Sequence, residues 1–219
     1  LHAFVPAPVA PATPAARQSL NLAGFLPLLR DRNLWRLDVG IFALHFLLTA
    51  AFVALPVMLQ EQIGLPSAEH WKAYVPVLLL SVVILVPVVG LGERRRVMHK
   101  VVPWMVGMLV LALLGLGFSA QWGAWSFWVS LWLYFAAFNT LEATLPSLVS
   151  RFAPGAAKGQ ALGIYSTSQF FGAFLGGVLG GLVYGSVGSG GVLLFGAAVA
   201  VVWLISAVGL QAPGGSAED

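Results

Sequence analysis

Long uninterrupted apolar stretches dominate this chain and leave few folds open to it. Six runs, Leu37–Leu59, Tyr74–Gly92, Val101–Phe118, Trp125–Val149, Gln160–Tyr184 and Gly190–Leu210, are close to the length that crosses a bilayer, which is about 20 helical residues. In hydrocarbon the backbone must bond within its own segment or a closed barrel, so runs of this length read as helices. Only 9% of the 219 residues are charged and 59% are hydrophobic, against about 25% charged in soluble domains. The expected fold is an all-α membrane protein of six transmembrane helices. Pro66, Gln121–Gly123, Pro154–Gly155 and Gly185–Gly190 mark the turns. Residues 1–35 read as a Pro/Ala-rich cytoplasmic linker ending in an amphipathic segment, Leu22–Arg36. Residues 36–211 read as the membrane domain and 212–219 as a cytoplasmic tail. The N-terminal stretch lacks a basic flank followed by an apolar run, so no signal peptide is expected.

Charge sets the orientation. Arg17, Arg30, Arg32 and Arg36 precede the first span, Arg94, Arg95, Arg96 and Lys100 follow the second, and Arg151 and Lys158 follow the fourth. Lys72 alone lies on the other side. The positive-inside rule then puts both termini in the cytoplasm. These basic residues are too few and too confined to helix ends to indicate nucleic acid. The chain has no cysteine, which excludes disulfides, thiol catalysis and Cys-ligated metals. It has no Walker loop, no zincin His pair and no nucleophile elbow, so an enzyme is not expected and no cofactor or metal is called for.

Polar groups inside spans are costly and usually face a partner or a cavity. Glu142 lies in the cytoplasmic half of span four with Asn139 three residues earlier, and the pair could hold a proton, a cation or an amine. A structural bond to a helix end or an Arg is the other reading of Glu142. Asp38 and His45, seven apart on span one, share a face, and a histidine titrates near neutrality. Gln169 and Tyr165 carry polar groups into span five, and Trp132, with Trp128, lies deep in span four, where it faces an apolar cavity or lipid. Trp122 and Trp125 read as an interfacial belt. The six residues Asn139, Glu142, Gln169, His45, Tyr165 and Trp132 are the candidate substrate and proton pathway. Glu93, Arg94, Arg95 and Arg96 serve either as a topology anchor or as a cytoplasmic gate that bridges helix ends in one conformation. Gly172, Gly176, Gly177, Gly180 and Gly181 include pairs four apart, the spacing that lets another helix backbone approach closely.

Three stretches carry a family resemblance: Gly92–Lys100 between spans two and three, Phe138–Leu148 in span four, and Lys158–Gly177 with Gly163-Ile164-Tyr165-Ser166-Thr167-Ser168-Gln169-Phe170 inside it. On these the chain resembles the C-terminal half of a major facilitator superfamily transporter, more narrowly the YajR-like group of drug–proton antiporters. The basic loop departs from the family's usual motif, which has a glycine between the acidic-basic pair and the later basic residues. The resemblance implies half of a major-facilitator fold, helices seven to twelve, built as two inverted three-helix repeats. Spans one and four would line the cavity, spans two and five would form the seam with a missing N-terminal six-helix half, and spans three and six would face lipid. The five glycines above would then pack between halves. The implied function is proton-coupled efflux of small amphipathic compounds by alternating access, in a bacterial inner (plasma) membrane. The implied partners are the lipid bilayer, the other half and a small-molecule substrate, with the proton as coupling ion. Because the chain begins at Leu1 rather than Met, a fragment is expected, and one that does not transport alone. The alternatives are a half-size protein that dimerises into a carrier, and a non-transporting scaffold or receptor whose buried polar groups only glue helices.

Overall fold

The computed structural model describes residues 25–212; the Pro/Ala-rich linker call and residues 213–219 of the tail lie outside them. The described residues are almost entirely helical and contain no strand. A short helix α1 (Phe25–Arg30) leads into α2 (Arg32–Glu61), followed by α3 (Trp71–Arg94), α4 (Met98–Gly117), a single turn α5 (Ser119–Trp122), α6 (Ala124–Phe152) and α7 (Lys158–Val208). Four stretches, Arg32–Glu61, Ser67–Arg94, Met98–Gly117 and Gly155–Val208, are long and apolar enough to cross a membrane. The 29 residues of α6 have the length, but tryptophan, hydroxyl and amide side chains lower their hydropathy.

Local chemistry explains the ends. Asp31 caps α2, its carboxylate accepting from the amides of Asn33 and Leu34 at 2.9 Å each. The amphipathic segment is therefore broken at Asp31 into α1 and the first turn of α2. The end of α3 closes with a bond from the Val97 amide to the Gly92 carbonyl, 2.9 Å, and Arg96 between them has φ 55. This is the left-handed helix terminus that glycine normally takes. The 51 residues of α7 contain one non-helical residue, Gly188 at φ 72 and ψ −172, and it divides α7 into a first arm, 158–187, and a second arm, 189–208.

Contacts across glycines fix the packing. Gly172, Gly176 and Gly180 of the first arm meet Phe42, Phe46 and Ala50 of α2 in ascending order, so the two run parallel. Gly196 and Trp203 of the second arm meet Leu47 and Gly40 in descending order, so that arm returns antiparallel. The second arm also packs on α4 through Gly190 and Leu194 against Gly117. Gly115 of α4 seats Ser130 of α6, and α6 runs parallel to α3, with Tyr74 against Phe135 and Asn139 bonded to Ser81. The hydroxyl of Tyr134 on α6 donates to the Leu47 carbonyl of α2 at 3.2 Å and ties those two helices together.

Candidate functional site

Polar side chains gather where α2, α6 and the first arm of α7 meet. The Gln169 amide nitrogen lies 2.8 Å from His45 Nε2, and the same imidazole nitrogen lies 3.9 Å from Glu142 Oε2. The His45 side chain is 13% exposed and the Glu142 side chain 41%, so one end of this contact is sealed and the other open. Phe138 closes over the imidazole, ring centroids 6.0 Å apart. Nδ1 of His45, Oε2 of Glu142 and the Tyr165 hydroxyl are buried atoms without a hydrogen-bond partner. Glu142 stands ten residues from the end of α6, roughly 15 Å at helical rise.

Three elements from distant parts of the sequence hold this cluster. The first arm comes close enough to bring Gln169 onto His45 because glycines at 172, 176 and 180 leave no Cβ between it and α2: one at Gly180 would sit 2.9 Å from the Ala50 Cα, and at Gly172 and Gly176 it would strike the carbonyls of Phe42 and Phe46. Thr49 fastens the seam, its hydroxyl donating to the Ala173 carbonyl at 2.8 Å.

The structure separates residues that the sequence groups. Asn139 turns to α3, its amide donating to Ser81 Oγ at 2.8 Å, while Glu142 turns to α2. Trp132 lies apart from the cluster, in an apolar groove of about 390 Å³ between α3 and α6, with Trp125, Trp128, Pro76, Val77 and Leu80. Asp38 lines a further groove of about 310 Å³ with Trp35, Phe42, Ile164, Ser168 and Phe171. The glycine face is corrected. Gly172, Gly176 and Gly180 are occupied by α2 of this same chain and are not free for another half, whereas Gly177 and Gly181 meet nothing within 4 Å. Adjacent residues on a helix point about 100° apart, so 176 and 177 belong to different faces.

At the basic end the Glu93 carboxylate pairs with the Arg151 guanidinium, joining the ends of α3 and α6. Arg94, Arg95 and Arg96 are exposed. The guanidinium of Arg36 donates to the Gly209 carbonyl, and the Gln211 amide donates to Asn33 Oδ1 at 3.1 Å. Sequence reasoning did not assign partners to Arg151, Ser81 or Thr49. Ser81 had a signal, since it is the lone hydroxyl in the long apolar middle of α3; the other two had none.

The family model described as Major Facilitator Superfamily matches residues 2–176. The chain is 43% identical over 189 residues to the inner membrane transport protein YajR of Escherichia coli (strain K12), covering 86% of this chain and 41% of that protein. It is 25% identical over 188 residues to an uncharacterized transporter of Buchnera aphidicola subsp. Baizongia pistaciae (strain Bp), covering 86% of this chain and 48% of that one. The chain thus spans less than half the length of these curated relatives. Membrane-length apolar helices, a family match over most of the chain and relatives named as transport proteins point to a family of transporters rather than of enzymes, and the chain belongs to the major facilitator superfamily.

Proposed function

We propose that this chain is the C-terminal six-helix half of a proton-coupled exporter of small amphipathic compounds. Each arm of α7 counts as one span, α6 as another, and both termini lie in the cytoplasm of a bacterial inner membrane. The packing supports two inverted three-helix repeats. In the first, α2 is followed by α3 and α4; in the second, α6 is followed by the two arms of α7. The first arm runs parallel to α2 as α3 runs parallel to α6, so each repeat's leading helix packs with the trailing helices of the other. A symmetric exchange of this kind is expected of an inverted repeat. The orientation is supported by the basic end, which holds both the contact of Arg36 with the end of the second arm and the Glu93–Arg151 pair. The open glycines Gly177 and Gly181 and the exposed Phe170 and Phe174 leave room for the N-terminal half.

The observation that carries the coupling is the contact of His45 with both Glu142 and Gln169. Neutral His45 can accept the Gln169 N–H at Nε2. An imidazolium has no lone pair there, so the Gln169 amide must turn its oxygen inward, while Glu142 becomes the counter-ion. One proton therefore changes what α2 and α6 present to the first arm, the arm with the open face. Alternating access would convert this change into rocking of the halves.

The test is Glu142→Gln in the protein expressed from its whole gene and reconstituted with a pH gradient. Gradient-driven flux falls about tenfold or more, while downhill exchange of substrate persists. Unaltered gradient-driven flux in this variant removes the proton role. The scaffold reading keeps a specific foothold, because Asn139 and Gln169 are bonded inside the bundle; complete absence of flux from the wild-type protein favours it.

A further inference from the structure

A second polar feature lies outside the site above, at the basic end between α4 and the second arm of α7. His99, Lys100, Pro103 and Trp104 on one side and Val208 and Gln211 on the other line a cleft of about 460 Å³. We propose that this cleft binds the phosphate headgroup of an anionic phospholipid whose acyl chains lie along α4 and the second arm. The inference uses the membrane-spanning reading of these helices and is independent of the proton site.

Charge complementarity is the first argument. Lys100 brings a flexible cation to the rim, and no carboxylate lines the cleft among the described residues. His99, on the wall of the cleft, carries a second polar ring, whose Nδ1 has no hydrogen-bond partner within the protein. The cleft adjoins the first turn of α4, whose Val97 N-cap supplies no side-chain acceptor, so its free amides favour an anion. The opposing C-terminal carbonyls of the second arm would repel one, but Arg36 already binds the Gly209 carbonyl.

Continuity with a lipid-facing wall is the second argument. Trp104 is 77% exposed and Val208 68%. Beyond them the outward residues of the two helices are apolar: Leu111 on α4, and Val201 and Ile205 on the second arm. A molecule with a phosphate at one end and two apolar chains below it matches a basic cleft opening onto such a wall. Free phosphate matches only the upper part. An indole at this level is the usual interfacial anchor, and a lysine stem covers apolar surface while its ammonium reaches the headgroup.

The experiment is native mass spectrometry of the protein expressed from its whole gene, delipidated in detergent and titrated with dioleoyl phosphatidylglycerol or dioleoyl phosphatidylcholine. Wild-type protein retains phosphatidylglycerol preferentially. Lys100→Gln lowers that retention about fivefold, the effect of one basic residue at an anionic surface. Lys100→Arg keeps it, Trp104→Ala weakens retention of either lipid, and millimolar inorganic phosphate does not displace the bound lipid. Equal retention of the two lipids, wild-type retention by Lys100→Gln, or displacement by phosphate overturns the proposal. So does an equal loss in Lys72→Gln, at the other end of the bundle, because the effect is then diffuse charge. Lys100 is exposed, and an unchanged elution profile of Lys100→Gln confirms that the fold is retained.

Discussion

The two long helices α2 and α3 differ in a way that inverts the rule for soluble proteins. In the most apolar window of α2, 56% of the residues are buried; in that of α3, the more hydrophobic helix, only 17% are. In water the greasier helix would be the more buried. In lipid, apolar side chains gain little from meeting each other, and helices associate through close backbone approach and interhelical hydrogen bonds. The sequences differ accordingly. α2 offers Gly40, Ala43, Ala50, Ala51 and Ala54 with His45 and Thr49. α3 offers a wall of Val and Leu relieved by Ser81. The small residues of α2 let its neighbours approach closely and bury its large apolar side chains with them, whereas α3 is left largely exposed to lipid.

The comparison is most severely challenged at the glycine seam. Gly176→Leu drives a side chain into the Phe46 carbonyl and Thr49. It should cost about 3 kcal/mol and abolish the monodisperse peak on size exclusion. Gly177→Leu, one residue away on the open face, should leave that peak in place. Equal behaviour of the two variants breaks the division of the glycine face. A smaller effect is expected at the end of α3. Arg96→Gly relieves a left-handed residue and should stabilise by about 1 kcal/mol, seen as a higher melting temperature in detergent. Tyr134→Phe removes the bond to the Leu47 carbonyl and should cost about 0.6 kcal/mol in the same assay. The smallest change is expected on α3 itself. Leu79→Ala, 68% exposed in the wild type, should shift stability by no more than about 0.5 kcal/mol. A large loss there would mean that α3 packs against something within the chain.

Much of the fold was legible in the sequence, because breakers and apolar runs are local signals. Pro66, Gly123 and Pro154 fall between helices, and each expected span lies within a helix or an arm apart from its last residue or two at Phe118 and Leu210. Partner choice was not legible. A period of four places Gly172, Gly176 and Gly180 on one face but does not say which helix fills it, and α2 lies more than a hundred residues away in the chain. The site was half legible for the same reason. His45, Glu142 and Gln169 stood out as costly polar residues in spans, and the structure brings them together. Asn139 and Trp132 carried the same signal but turn elsewhere, since a helical offset of three leaves Asn139 and Glu142 about 60° apart, enough to give them different neighbours. The missing glycine of the basic loop also acquires a physical meaning, because Arg96 holds a backbone conformation that glycine would adopt without strain.

Gly188 makes the return between the arms of α7 almost without a loop, with helix on both sides. That turn offers no slack for a protease to grip or for an inserted tag to occupy, so topology reporters on that side belong between α2 and α3 or near Gly123. One residue also keeps the facing ends of the two arms side by side. Any motion that carries the first arm, with its open face, must therefore move that end of the second arm with it, and Gly188 is the one pivot between them.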